Sequence, residues 1–365
     1  AYFITLASFA DNCLYKSHGQ EIELMTDYDM LLMTEKNIRG GISVISGRFE
    51  EANHKYLPSH LKAKKQGMTT YYDKKKEEKW LAYVDANNLY GISMVDKLPT
   101  SDYKWEDTKK IREDFIRSYN KEENDRGYIL EVDLKYPTSL HDEHADYPLA
   151  IEKIKIDKYS VNVKKYIDGE PPRSTKLVGT LYDKKDYVCH ISNLKFYLEH
   201  GLELEKVKRC YSFIHTPFMR DYIQGNTARR IKSKNEFEKG FYKLMNNIVF
   251  GRSLLNRRNF EDIRLIIEEE NEKRMKQKIL RLTNSPLYEG FKQINEKMII
   301  IKSKKKKVMF KEPIAVGFTI LELSKLHMAK LHYDVMKVKY PNPRLKLLFT
   351  DTDSLCYHIQ TEDFF

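Results

Sequence analysis

Near its C-terminal end the chain reads Leu345-Lys-Leu-Leu-Phe-Thr-Asp-Thr-Asp-Ser-Leu-Cys-Tyr-His-Ile359. Two β-prone runs flank a short polar turn, the pattern of a β-hairpin, and the turn carries Asp351 and Asp353. Two carboxylates held at one hairpin tip repel each other until a cation sits between them. The feature therefore calls for a strand pair and a sharp bend, and a divalent cation would relieve the repulsion. Hard oxygen ligands of this kind suit Mg²⁺, which binds through one or two carboxylates and keeps its remaining positions for water or phosphate. Taken alone, an Asp-x-Asp is more often a plain turn, because Asp favours turns.

A third acid has similar surroundings. Tyr83-Val84 leads into Asp85-Ala-Asn-Asn-Leu-Tyr-Gly91, which places Asp85 at the end of a strand. If that strand neighbours the hairpin, three carboxylates meet at one sheet edge. Such an edge can hold two metal ions about 3.5–4 Å apart, one acidifying an attacking hydroxyl and both neutralising charge on a reacting phosphate.

Composition fits a folded protein with a polyanionic partner. Hydrophobic residues make up 41% and aromatics 12% of the 365 residues, too many for a disordered chain. Lys and Arg number 64 against 53 Asp and Glu, a net charge of +11 that favours nucleic acid. A basic protein with no nucleic-acid partner satisfies the charge equally well. The four cysteines form no CxxC pair, which fits a reducing, intracellular compartment. No run approaches the ~18 apolar residues of a membrane span, and the N-terminal residues make a poor secretion signal. The ragged ends read as those of a fragment.

Helical spacing is expected over 193–204, 227–255, 261–278 and 320–338. In the second of these Phe237, Phe241, Leu244 and Ile248 share one expected apolar face, with Arg230, Lys239 and Lys243 among the surface cations. Leu323, Met328 and Leu331 are expected to be buried in the last. Tyr128-Ile-Leu-Glu-Val-Asp-Leu134 alternates as a strand. Lys304-Lys-Lys-Lys307 reads as a charged hairpin tip between Met298–Ile301 and Val308–Phe310, a solvated turn or a phosphate contact. His141 and His144 are a weak candidate metal pair in a polar loop, and His327 and His332 are expected at the surface or core edge.

Three segments, in order, carry a family resemblance: Tyr83-Val-Asp-Ala-Asn-Asn-Leu-Tyr-Gly91, Lys243-Leu-Met-Asn-Asn-Ile-Val-Phe-Gly251 and Phe349-Thr-Asp-Thr-Asp-Ser354. They resemble the A, B and C motifs of family B DNA polymerases. Together with Ile38-Arg-Gly-Gly-Ile-Ser43 and the stretches Pro313–Phe318 and Leu323–Lys325, they look most like the protein-primed branch of viruses and transposons. The resemblance implies an α+β right-hand fold with an antiparallel-sheet palm and helical fingers, exonuclease domain and thumb largely absent. Implied boundaries are 1–80 for the linker into the palm, 81–99 and 313–365 for palm, 219–254 for fingers, and 100–218 and 255–312 for inserted regions.

It also implies roles. Asp85, Asp351 and Asp353 would be catalytic, with Asp85 and Asp353 ligating two Mg²⁺ ions, for which Mn²⁺ can substitute. Tyr90 would pack against the incoming sugar and reject a 2′-OH. Arg230, Lys239 and Lys243 would bind the triphosphate, and Asn247 and Phe250 would border the nascent base pair. Gly251, with Arg39, Gly40 and Gly41, would contact DNA. The implied partners are primer-template DNA, deoxynucleoside triphosphates and, at initiation, a terminal-protein primer.

The wording departs from the family at Asn88 and Gly91, where Ser and Pro are usual, at Ile38, where Tyr is usual, and at Ile248, where Ser is usual. Ile248 keeps a second reading open, an inactive relic that binds DNA without catalysis. An Asp-x-Asp glycosyltransferase would leave Lys243 to Gly251 without a purpose.

Overall fold

The computed structural model describes residues 3–19, 21–155, 175–267 and 272–364. Its strands, in chain order, are β1 (Ser43–Ile45), β2 (Lys79–Asp85), β3 (Leu98–Trp105), β4 (Arg126–Lys135), β5 (Glu152–Lys155), β6 (Thr175–Val178), β7 (Lys184–His190), β8 (Glu203–Thr216), β9 (Glu261–Ile267), β10 (Tyr288–Asn295), β11 (Met298–Lys304), β12 (Leu345–Asp351) and β13 (Ser354–Gln360). The described chain divides into two compact units, one of residues 1–253 and 313–365 and one of Leu254–Glu312.

In the larger unit β1, β12, β13 and β2 form an antiparallel sheet in that order. In its hairpin β13 keeps the period-2 alternation, while a register shift between Leu347 and Phe349 interrupts β12. Leu355, Tyr357 and Ile359 alternate along β13 and are fully buried, whereas Ser354, Cys356 and His358 take the other face. A second antiparallel sheet has the order β3-β8-β4-β7. The expected strand 128–134 lies within β4, where Ile129, Leu130, Val132 and Leu134 are all buried.

The helix Ile314–Lys330 runs through the core. Thirteen of its seventeen residues are buried, so it is enclosed on nearly every side and lacks a solvent face. It touches the helices Leu89–Met94, Ile191–Glu199 and Glu236–Ser253 as well as β3. It begins six residues before the expected 320 and continues beyond Lys330 as one π-helical turn, Leu331–Met336. Leu323 and Met328 are buried as expected, and Leu331 is partly so. His332 is interior, hydrogen-bonded to the Tyr357 hydroxyl at 3.0 Å, and not at the surface or core edge.

The helix expected over 227–255 is two helices, Arg220–Lys232 and Glu236–Ser253. Its buried stripe is also rotated from the expected one. Met245 and Val249 face inward with Phe241 and Ile248 beside them, while Phe237 is 83% exposed and Leu244 points out as well. Helical spacing allows either stripe; packing on the helices Leu6–His18 and Arg220–Lys232 selects this one.

The smaller unit corrects two further expectations. Glu261–Ile267 is strand, not helix, because its alternation buries Ile266 against β11, and the helix starts only at Glu272. The hairpin there turns at Glu296 and Lys297 between β10 and β11. The lysine run leaves the end of β11 as irregular chain, so it is no hairpin tip, and Val308–Phe310 forms no strand. Among the described residues no helix is long and apolar enough to cross a membrane.

Candidate active site

Four strand ends lie in a row at one edge of the β1-β12-β13-β2 sheet. Ser43 pairs with Asp351, Asp351 with Ser354, and Ser354 with Asp85. Cβ atoms of directly opposed residues stand roughly 4.5–5.5 Å apart, so the carboxylates of Asp85 and Asp351 flank the strand that begins beside Asp353. The Asp353 carbonyl is in turn bonded by the Ala86 amide at 2.8 Å. All three acids thus occupy one sheet edge open to solvent, although β2 and β13 are far apart in sequence.

The bend between the two hairpin aspartates is tight. The Asp353 amide donates to the Asp351 carbonyl at 2.7 Å across Thr352, whose φ of 58° is left-handed. A β-branched residue there is strained, and such strain persists only when neighbours over-determine it. Here the neighbour is the 38–43 segment. The Thr352 amide donates to the Ile42 carbonyl at 3.0 Å, and a Cβ built on Gly41 would lie 2.9 Å from the Thr352 Cγ2. Ser43 adds a hydroxyl bond to Asp351 Oδ1 at 2.5 Å. Ser43 stands in the quoted motif, but its role becomes visible only through the strand pairing.

The helix Leu89–Met94 follows Asp85 directly. Asn88 enters it with a left-handed φ of 64°, a conformation Asn tolerates better than Ser does. The amide of Asn88 lies where a side chain at 91 would go: a Cβ on Gly91 would be 1.9 Å from Nδ2. The two departures in this motif are therefore one adaptation. Gly91→Ala is expected to cost about 1–2 kcal/mol in chemical denaturation, and to be neutral or stabilising when Asn88 is also replaced by Gly, since Ala is then the better helix former. Additive effects in that cycle reject the coupling.

Tyr90 stacks on Phe250 with ring centroids 4.4 Å apart, which joins the helix Leu89–Met94 to the helix Glu236–Ser253. Burial, and then the negative charge of Asp353, push the Tyr90 phenol pKa up. The helices Arg220–Lys232 and Glu236–Ser253 are themselves locked by Tyr222, whose hydroxyl donates to the Met245 carbonyl, and by a buried Asn226–Asn246 bond of 2.9 Å. Arg230 and Lys243 project to solvent, and Lys239 is held 2.7 Å from Glu236. Asn247 is half-buried. Ile248 packs on the main core, which is a structural reason for an apolar residue there.

Not every expected residue lies where its role needs it. Arg39, expected to touch the template strand, is turned inward: its guanidinium lies 4.0 Å from the Tyr187 ring centroid and donates to the Val188 carbonyl. Of that trio only the backbone at Gly40 and Gly41 remains near the surface. At Gly251 nothing among the described residues crowds a Cβ, so the described fold itself does not require glycine there.

The fit to metal is chemical rather than preformed. Asp85, Asp351 and Asp353 supply accessible hard oxygen donors on adjoining backbone, but among the described residues no three acidic, His or Cys side chains are gathered into a closed ligand set. The pair His141 and His144 is no rival. His144 is buried against the Tyr136 hydroxyl at 2.8 Å, and burial above all pushes its pKa down to about 4.

Residues 67–337 match the family described as DNA polymerase type B, organellar and viral. The chain belongs to this family. Two solved structures of Phi29 DNA polymerase share the fold of this type B chain. In one, a post-translocation binary complex with primer-template DNA, the TM-score is 0.52 at 13% identity, over 98% of this chain and 48% of that one. In the other, a ternary complex with primer-template DNA and incoming nucleotide substrates, it is 0.52 at 15% identity, over 100% and 49%. The type B chain spans about half the length of those polymerases. No curated protein matches it.

Proposed function

We propose that this chain carries the nucleotidyl-transfer centre of a DNA-directed DNA polymerase, adding deoxynucleotides to a primer 3′-OH opposite a template. One observation carries the reading: a palm sheet sets Asp85, Asp351 and Asp353 on a single edge, with the Tyr90–Phe250 stack beside it. Two divalent ions, Mg²⁺ or Mn²⁺, held there by Asp85 and Asp353, would lower the pKa of the attacking hydroxyl and neutralise charge on the α-phosphate.

The chain's own residues supply position and selectivity. Asp351, fixed by Ser43, holds a negative charge next to the ligating pair. The ring of Tyr90, braced by Phe250, limits the space at the sugar C2′. Lys243, Lys239 and Arg230 present cations to the triphosphate from the fingers helices; the exposure of Lys243 and Arg230 suits ligands that arrive from water, and Lys239 would exchange its Glu236 partner for phosphate. Primer-template DNA lies along the same edge, near Gly40 and Gly41, and a terminal protein's hydroxyl could stand in for the primer at initiation. The packing of Ile248 on the core supplies a structural reason for an apolar residue there and so weakens one of the motives for reading an inactive relic.

The test is primer extension with Mg²⁺ and single deoxynucleotides on four templates that differ at one base. Extension opposite only the complementary base is expected. Nucleotide addition that ignores the template, or none on any primer, rejects the proposal.

A further inference from the structure

The core helix Ile314–Lys330 carries an ion pair that the mechanism above does not use. Glu322 is 1% exposed, and Lys325, nearly one turn on, is almost fully enclosed beside it. The Lys325 ammonium donates to Glu322 Oε1 and, at 3.2 Å, to the main-chain carbonyl of Arg39. Glu322 is itself held to the second sheet. Its Oε2 accepts from the His190 amide at 3.4 Å, and its carbonyl accepts from Asn193 Nδ2 at 2.8 Å. With the Arg39 guanidinium anchored on Tyr187 and Val188, the 38–43 segment is fastened on two sides at this one residue.

From there a run of direct contacts reaches the catalytic turn. Gly41 abuts Thr352, the Ile42 carbonyl takes the Thr352 amide, and Ser43 bonds the Asp351 carboxylate. Lys325, Gly41, Tyr90 and Thr352 also line one cavity. A buried lysine is a poor device for stability alone, because its desolvation roughly cancels the attraction of its partner and an apolar residue of like volume does as well. Burial pushes the Lys325 pKa down, against the raising influence of Glu322.

We propose that Lys325, oriented by Glu322, is a positioning residue that sets the 38–43 strap and, through it, the left-handed turn carrying Asp351 and Asp353. The proposal rests on the polymerase reading. It assigns Lys325 an effect on the chemical step with no contact to substrate.

The experiment is Lys325→Met, which is close in volume, measured by single-nucleotide incorporation and by amide hydrogen exchange. A misplacement of catalytic groups by about 1 Å costs up to about 100-fold, so kcat is expected to fall on the order of 10- to 100-fold. KM for nucleotide should change less than about 3-fold, because the triphosphate contacts lie elsewhere, whereas affinity for primer-template is expected to weaken modestly, since Gly40 and Gly41 belong to the strap. The Thr352 amide should exchange faster, while the amides of β13 stay protected. Ser43→Ala should lower kcat in the parent chain and add little in Lys325→Met. An unchanged kcat, or a fall matched by equal loosening throughout the sheet, overturns the proposal. If Lys325→Met does not fold, Glu322→Gln keeps the shape while removing the counter-ion, and it must show the same split between kcat and KM. The exchange measurement needs no catalysis, so a parent chain that extends no primer would reject the polymerase reading while the strap is still tested.

Discussion

Asp353→Ala is expected to lower templated primer extension by on the order of 10³-fold or more while leaving the fold intact. Removing a single preorganised charge-stabilising group commonly costs 10²–10³, and groups that act as one unit cost more. Asp353 is well suited to such a separation of effects. Its side chain makes no described hydrogen bond or ion pair, and its structural bonds run through its backbone, which Ala retains: the amide to Asp351 and the carbonyl to Ala86. Single-turnover incorporation with Mg²⁺, run beside a thermal melt, checks both halves. Asp85→Ala should match it in activity, since Asp85 is the other acid proposed as a ligand, and the double variant should be little worse than either. A variant of Asp353 that melts normally and extends a primer at a tenth of the parent rate would remove it from the catalytic role.

Replacing Tyr90 with Ala is expected to raise ribonucleotide insertion relative to deoxyribonucleotide insertion by on the order of 10²-fold. A pocket that rejects a hydroxyl by shape alone discriminates by about that factor, and deleting the ring removes the wall. The stack on Phe250 adds a second expectation. Phe250→Ala leaves the Tyr90 ring in place but unbraced, so its selectivity should fall between parent and Tyr90→Ala. The measurement is the ratio of kcat/KM for a ribonucleotide and its matching deoxynucleotide on one template. Equal selectivity in parent and Tyr90→Ala would mean that another group guards C2′. Deoxynucleotide insertion should itself weaken, because the ring also packs in the partly buried contact between two helices.

Much of this site could be read from local pattern. The hairpin, its two aspartates and the turn after Asp85 are visible because strand alternation and turn residues act over a few neighbours. The departures at Asn88 and Gly91 are equally visible in sequence, but that they compensate each other is not. It follows from a left-handed φ and a 1.9 Å approach that no pattern encodes. Arg39 shows the converse failure. The family resemblance implied a template contact for Arg39, yet its guanidinium is spent inside the protein, because burial depends on what β7 brings against it.

The same distinction separates the two faces of the helix Glu236–Ser253. Its periodicity required an apolar stripe and left two rotations open, and only the elements packed on it chose Met245 and Val249. By itself, then, the sequence determined the hairpin at 345–359, the strand that ends at Asp85 and the acids these carry, since those choices rest on propensity and alternation within a few residues. The tertiary structure alone decided that β2 lies against β13, that the 38–43 strap presses on Thr352, and that Glu322 and Lys325 meet the Arg39 carbonyl. Each of these joins segments distant in the chain. Such pairings are selected by the burial they permit together, a property of the assembled core and of no single segment.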